Sequence, residues 1–274
     1  MTQAIDLVPL DGTHLPEAVR LSRQAGWPHR PEDWALSLSV STGIAAVEDG
    51  RVVGTAMVSE FGPVATVNMI IVDETMRGRG VGRRVVEAAM ARSDSAELRL
   101  VATQEGLPLY EKLGFRASGQ IVQHQGIATA MQPGQPVEPG TTADLARCVQ
   151  MDSQASGMAR GALLSSIARM GELLLTEGGF ALIRPFGRGH VLGPVVAQTP
   201  AAARALMAEA ATRCVGHFLR VDLNEGQGLQ DHAAALGLPQ VGGGVAMRRL
   251  APGTAAFAPS GPFTTYALIS QALG

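Results

Sequence analysis

Lysine is almost missing from this chain of 274 residues: Lys112 is the only one among 22 basic side chains. With a formal net charge of −2 and no polybasic run in either half, the sequence has no electrostatic footprint for nucleic acid. Cysteine is nearly as scarce. Cys148 and Cys214 stand far apart with no CxxC between them, which fits two small buried thiols in a reducing compartment. The six histidines (His14, His29, His124, His190, His217 and His232) show no ligand spacing, so no metal is expected. No stretch of about 18 residues is free of charge or strong polarity, so no membrane span is expected. The start, Met1-Thr2-Gln3-Ala4-Ile5-Asp6, lacks the basic and apolar runs of a secretory signal, and a cytoplasmic protein is the expectation.

What the chain does have is apolar material for cores, 46 % hydrophobic residues against 17 % charged, and a length suited to two domains. Pro133-Gly134-Gln135-Pro136-Val137-Glu138-Pro139-Gly140 punctuates it near the middle. Before that break, alternation and turn residues predict a strand at 5–10 and helices through Leu15 and from Pro31. Strands follow at 43–47, 51–61 and 64–72, the first two joined by a Glu48-Asp49-Gly50 turn. A helix to about Arg92, a strand at 98–101, a helix at 106–113 and two strands in 115–131, broken near 124–126, complete the half.

The second half repeats the order. Leu15 and Val19 match Leu145 and Val149, and Glu48-Asp49-Gly50 matches Glu177-Gly178-Gly179. Leu98-Arg99-Leu100 matches Leu219-Arg220-Val221, and Leu113-Gly114-Phe115 matches Leu236-Gly237-Leu238. The ordered series predicts a duplicated βααβββαβαβ unit. The expected fold is α+β: two tandem domains, 1–132 and 133–274, each a mixed, mostly antiparallel sheet flanked by helices.

The stretch Asp73-Glu74-Thr75-Met76-Arg77-Gly78-Arg79-Gly80-Val81-Gly82-Arg83-Arg84 follows a buried strand and opens a helix. Its glycines let successive amides point inward at the positive end of that helix, a cradle for an anion such as pyrophosphate. Arg77, Arg79, Arg83 and Arg84 add charge around it. A Rossmann fingerprint would need glycine where Arg83 stands, and a Walker A loop would need GK[ST]. A glycine-rich turn with solvated arginines is the bland alternative.

The run Arg77-x-x-Gly80-x-Gly82 resembles the acetyl-CoA motif of the GNAT superfamily of N-acetyltransferases, [RQ]-x-x-G-x-[GA]. Leu109-Tyr110-Glu111-Lys112-Leu113-Gly114-Phe115, about 30 residues on, resembles the same family's LYxKxGF signature. The resemblance covers most of residues 1–131. It implies that the backbone of Ile70, Ile71 and Val72 holds the pantetheine arm and polarises the thioester. The amides of Arg77, Gly78, Arg79, Gly80, Val81, Gly82 and Arg83 would hold the pyrophosphate. Thr103 stands where the family often has an asparagine that meets the cofactor. Tyr110 is implied as the acid that protonates the CoA thiolate, against the alternative of an aromatic packed under the sheet. For the base, Glu60 is the nearest candidate, then Asp73 and Glu74, and a neutral amine or a water relay would need none.

The second half carries Gly193-Pro194-Val195-Val196-Ala197-Gln198-Thr199-Pro200 in place of the cradle, and Ala233 falls opposite Tyr110. It reads as a degenerate GNAT-like copy that no longer binds CoA, with an ending, Ala267-Leu268-Ile269-Ser270-Gln271-Ala272-Leu273-Gly274, resembling tandem relatives. His190, Asp152, Asp222, Glu225 and His232 are candidates for walling an acceptor pocket. Trp27 and Trp34 border the same region in the first half.

The expectation is an acetyl-CoA-dependent N-acetyltransferase with a small amine acceptor, acting by direct transfer, with no metal, nucleic-acid or membrane partner and an undefined oligomeric state. Neither cysteine lies near the motifs, which disfavours a covalent enzyme intermediate. An acyl-CoA-binding sensor and a protein acetyltransferase are the alternatives.

Overall fold

The computed structural model describes residues 4–274; residues 1–3, part of the stretch read for a secretory start, lie outside the described residues. The first half runs β1 (Asp6–Leu10), α1 (Leu15–Gln24), α2 (Pro31–Ser39), β2 (Thr42–Glu48), β3 (Arg51–Phe61), β4 (Val64–Val72), α3 (Val81–Met90), β5 (Glu97–Ala102), α4 (Leu107–Lys112) and β6 (Arg116–Ile127). The second runs β7 (Val137–Pro139), α5 (Leu145–Ser156), α6 (Gly161–Met170), β8 (Glu172–Thr176), β9 (Gly179–Phe186), β10 (Gly189–Ala197), α7 (Pro200–Arg213), β11 (Phe218–Asn224), α8 (Gln230–Ala235), β12 (Gln240–Leu250) and β13 (Thr264–Ala267). The order is the predicted duplication. Among the described residues no helix is long and apolar enough to cross a membrane.

Strands buried on both faces explain the near-continuous apolar runs. In the first half Ala45, Val52, Met57 and Ile71 pack with Val19, Leu21 and Trp34 of α1 and α2 on one face. Their neighbours Ile44, Ala46, Val53 and Ala56 pack with Val81, Val85, Val86 and Ala89 of α3 on the other. The α3 residues recur at the i, i+4, i+5, i+8 spacing of one helix stripe. Gly54 permits this approach, because a Cβ there would sit 2.9 Å from a Val81 methyl.

The two expected sheets are in fact one. Its thirteen strands lie in the order β1-β2-β3-β4-β5-β12-β6-β11-β13-β10-β9-β8-β7. β12, from the second half, pairs with β5 from Val245↔Ala102 to Leu250↔Glu97. β6, from the first half, pairs with β11 from Phe218↔Ile127 to Asn224↔Ile121, and with β12 on its other side. Each half therefore contributes its last long strand to the other's side of the sheet.

This exchange corrects the reading of 115–131 as two strands. Residues 116–127 form one uninterrupted strand, with His124, Gln125 and Gly126 in the ladder to β11. Gly126 is there for close approach and not for a turn: a Cβ would lie 2.2 Å from the Gly237 carbonyl oxygen. The halves also share a core, in which Phe61 and Val64 pack with Leu163, Leu164 and Ile269.

Asp33, at the start of α2, clamps the junction from the other side. It accepts from the Arg30 amide and guanidinium at 2.9–3.0 Å, from Arg184 at 3.2 Å and from the Gly187 amide at 3.1 Å. Burial raises its pKa, but these donors outweigh burial and hold the carboxyl below its ordinary value. A protease site placed at Gly134–Gln135, followed by cleavage, is expected to leave both fragments eluting together in native size-exclusion chromatography and separating only in denaturant. Separation in native buffer would contradict the exchange.

Candidate active site between the halves

Two neighbouring strands that part company create the site. β4 and β5 are hydrogen-bonded in parallel only where Val64, Ala65 and Thr66 face Glu97, Leu98 and Arg99. On the opposite edge of β4 the register with β3 jumps from Thr55↔Ile71 to Met57↔Asn68, so Met69 and Ile70 form a bulge against Ala56. Met69 has φ 47°, in the left-handed region, and its carbonyl accepts from the Thr55 hydroxyl at 2.8 Å. The bulge bends β4 away from β5 and opens a cleft between their C-terminal ends.

Beyond β4, the loop folds as the cradle spacing predicts. Gly78 and Gly80 adopt φ of 78° and 74°, and Gly80 is the left-handed residue that starts α3. The amides of Gly78, Gly80, Val81, Gly82 and Arg83 have no acceptor among the described residues, as expected of a helix's first turn. A Cβ at Gly82 would touch Val72 and Leu109 at 3.5 and 3.7 Å, so the α3 start sits directly on the end of β4 and on α4.

The arginine side chains are turned to other partners. Arg77 pairs with Glu105 at 3.3 Å, Arg79 with Glu48 at 2.6 Å and Arg83 with Glu87 at 2.8 Å, while Arg84 donates to the Ile5 carbonyl at 2.8 Å. The groups this loop leaves free to donate are therefore backbone amides at the helix start, an arrangement suited to an anion.

Tyr110, on α4, faces the cleft. It is 7 % exposed, its ring edge meets Phe115 at 6.2 Å, and burial pushes its pKa up to about 12. Its hydroxyl has no hydrogen-bond partner among the described residues. Gly106, which sequence reasoning passed over, makes room for it: a Cβ there would lie 2.8 Å from the Tyr110 ring. Thr103 caps this turn, accepting from the Gly106 amide at 3.2 Å through its hydroxyl oxygen.

The proposed carboxylates do not join them. Glu60 lies opposite Ala65 at the far end of the ladder and binds the Ser93 hydroxyl at 2.9 Å, away from the cleft. Asp73 is buried and committed to structure: it accepts from the Thr75 amide and hydroxyl, from Gln24 at 3.3 Å and from Arg20 at 3.1 Å. Burial raises its pKa, yet those hydrogen bonds prevail and hold it at about 2. Glu74 is exposed.

The cleft continues into a cavity of about 250 Å³ built by both halves. The first half contributes Trp27, His29, Asn68, Ile70, Thr103 and Tyr110. Gln123 comes from the exchanged strand β6, and Phe186, Arg220, Ser270 and Gln271 come from the second half. His29 lies between Trp27 and Phe186 with ring centroids 5.5 and 5.2 Å away, tilted against the first and edge-to-face with the second, and its Nδ1 is buried without a partner. Burial first, then the neighbouring Arg220 cation, push its pKa down to about 4, so it is neutral near pH 7. Asn68 donates to Ser59 and to the Thr66 carbonyl, leaving its buried Oδ1 unpartnered. Asn68 was detectable as the one amide in the apolar run of β4. Arg220 was detectable as a cation inside the apolar strand β11.

The other second-half candidates lie elsewhere. Asp152 is locked to Arg160 at 2.8 Å, His232 meets the Arg204 carbonyl at 3.0 Å, Glu225 is exposed, and neither His190 nor Trp34 lines the cavity. Asp222 stands behind the wall, holding Arg220 and Gln271. In the second half the place equivalent to the β4–β5 cleft is filled. β10 and β11 pair from His190↔Leu219 to Leu192↔Val221, after which β13 runs between them, against Val195, Val196 and Ala197 on one side and Leu223 on the other.

Because the Asp73 pKa is depressed, its contribution to stability is complete above the ordinary carboxylate value and is lost as the pH falls toward 2. Asp73→Asn is expected to cost about 2 kcal/mol at pH 7 and to flatten the loss of stability between pH 4 and 2. Denaturant unfolding at several pH values checks this.

Comparison with known proteins agrees with this geometry. Two acetyltransferase (GNAT) domain models match, one over residues 40–117 and the other over residues 148–256. The uncharacterized N-acetyltransferase YitH of Bacillus subtilis (strain 168) is 35 % identical over 127 residues, which span 42 % of this chain and 42 % of that protein. Among solved structures, a provisionally assigned acetyltransferase from Pyrococcus horikoshii shares the fold with a TM-score of 0.80 at 20 % identity, over 100 % of this chain and 97 % of that one. A tandem GNAT protein from the clavulanic acid biosynthesis pathway superposes with a TM-score of 0.61 at 14 % identity, over 92 % of this chain and 100 % of that one. With a GNAT domain on each side of its central break, the chain belongs to the GNAT acetyltransferases, of the tandem type.

Proposed function

We propose that the first half binds acetyl-CoA and passes its acetyl group directly to a primary amine of a small molecule seated in the cavity between the halves. The observation that carries this reading is the opening between β4 and β5, bulged at Met69 and Ile70 and leading to the free amides at the start of α3. Acetyl-CoA fits that shape: a narrow slot with unpaired backbone for an extended amide-bearing arm, ending in donors for a pyrophosphate. It supplies an activated acyl group on a thiol leaving group.

The chain's own residues then align, polarise and move protons. The backbone at Ile70, Ile71 and Val72 orients the arm and donates to the thioester carbonyl as charge grows on it. Asn68 Oδ1 accepts an N–H of the amine and turns its lone pair toward the carbonyl carbon. As the C–N bond forms and the C–S bond breaks, the Tyr110 hydroxyl gives its proton to the sulfur. A raised pKa keeps that proton in place until the thiolate needs it. His29, neutral and unpartnered, is the group in the cavity that can take the proton leaving the nitrogen, in place of Glu60. The filled β10–β11 cleft supports a single acetyl-CoA site per chain, with residues 1–132 catalytic and residues 133–274 a copy that walls the acceptor.

Calorimetric titration with acetyl-CoA is expected to give one site per chain, lost in the Arg77→Glu/Gly80→Pro double variant, since proline removes an amide and cannot take φ near 74°. Two sites would remove the one-site reading, and no binding would remove the acetyl-CoA reading altogether. Tyr110→Phe is expected to lower kcat by about 100-fold or more while leaving acetyl-CoA affinity unchanged, and His29→Gln to lower kcat in the same manner. Binding without turnover of any amine by the unmodified protein would favour a sensor instead.

A further inference from the structure

The acceptor's chemistry is written in the cation on the cavity wall. Arg220 is 7 % exposed, and Asp222 behind it is completely buried. The Nε and Nη2 atoms of Arg220 donate to Asp222 at 2.9–3.2 Å, and its guanidinium lies 5.4 Å from the centre of the Phe186 ring. Held on these sides, the group lines the cavity with Nη1 left without a protein acceptor among the described residues. Comparable arginines differ at this point. Arg99, at the matching position of the first repeat, pairs with Glu97 through Nε and satisfies Nη1 on the Ser156 carbonyl at 2.8 Å. Arg160 pairs with Asp152 and caps its Nη1 on the Leu273 and Gly274 carbonyls. A guanidinium nitrogen without an acceptor, on a side chain that lines a cavity, is a donor available to an anion.

The surrounding charges point the same way. Arg30, Arg184 and Arg220 converge around Phe186 and Asp33, and the carboxylates that pair with them there are Asp33 and Asp222. Glu32, which also faces Arg30, is exposed to solvent, and His29 is neutral. Three guanidinium groups thus meet two carboxylates beside the cavity, with the surplus on Arg30 and Arg184, which share Asp33. A carboxylate on the ligand would place a negative charge beside this net-positive cluster and form charge-assisted hydrogen bonds to the Arg220 guanidinium.

We propose that the acceptor is a small amino acid, whose carboxylate is held by Arg220 while its amine lies at Asn68 and Tyr110. This rests on the acetyl-transfer reading and specifies its substrate class. The cavity of about 250 Å³ has room for a molecule of this size, and Trp27, His29 and Phe186 form an aromatic wall that suits an apolar side chain.

The probes are the N-acetyl derivatives of glycine, leucine and phenylalanine, each as free acid and as amide. They are titrated calorimetrically into the full chain saturated with CoA, after acetyl-CoA binding has been measured in the same preparation. At least one acid is expected to bind about tenfold or more tightly than its amide. In Arg220→Gln that ratio should fall toward one with acetyl-CoA affinity unchanged. Arg220→Lys, which keeps a cation against Asp222, is the companion should the glutamine variant fail to fold, and it should lose most of the preference through loss of the fork. Equal affinities, tighter binding of the amides, or no binding of any acid by protein that binds acetyl-CoA would overturn the amino-acid assignment. Failure to bind acetyl-CoA would instead remove the acetyl-transfer reading on which it rests.

Discussion

The exchange of strands between the two repeats is the constraint on which the rest of this molecule depends. A strand in the middle of a sheet must satisfy its amides and carbonyls on both edges. Once β12 lies against β5 and β6 lies against β11, the hydrogen-bonding of each half is completed by the other. The halves cannot rotate independently without breaking ladders in the centre of the sheet. That rigidity lets a cavity be shared between them: Gln123 is carried across on β6, and Arg220 stands on the strand that β6 pairs with.

The same sheet uses one device in two ways. In the first repeat β4 and β5 separate after three residue pairs, and the gap remains open because a bulge bends β4 away. In the second repeat the corresponding strands also separate, but β13 fills the gap and pairs with both. Unpaired backbone is costly when buried, so a gap in a sheet persists only where something else meets its polar groups. The chain meets that requirement internally in one repeat and leaves the gap open in the other. The ending of the chain beyond β13 then supplies Ser270 and Gln271 to the shared cavity.

Much of the first half was legible because its signals are local. The glycines at 78 and 80 mark left-handed turns, the apolar spacing of α3 marks its buried stripe, and Tyr110 stands at a fixed offset from both. Each of these depends on residues within a few turns of one another. The position of Glu60 was not legible, for the opposite reason. Nearness in sequence to the cradle strand put it among the candidates, whereas antiparallel pairing carries it to the other end of that strand, beside Ser93. The arginines of the cradle were legible as residues but not as partners, since Glu48 and Glu105 reach them from other elements.

By itself the sequence determined the order of elements, the duplication and the glycine-bearing turn before α3, which follow from short-range periodicity and turn chemistry, while the acetyltransferase family was legible through the resemblance of two short motifs. Only the tertiary structure decided which strand lies beside which, that 116–127 is one strand and not two, and that Phe186 and Arg220 face His29 across a single cavity. Strand pairing is a long-range choice among edges that look alike in sequence. Gly126 shows why: it reads as a break when seen alone, and becomes a point of close approach once the Gly237 carbonyl is packed against it.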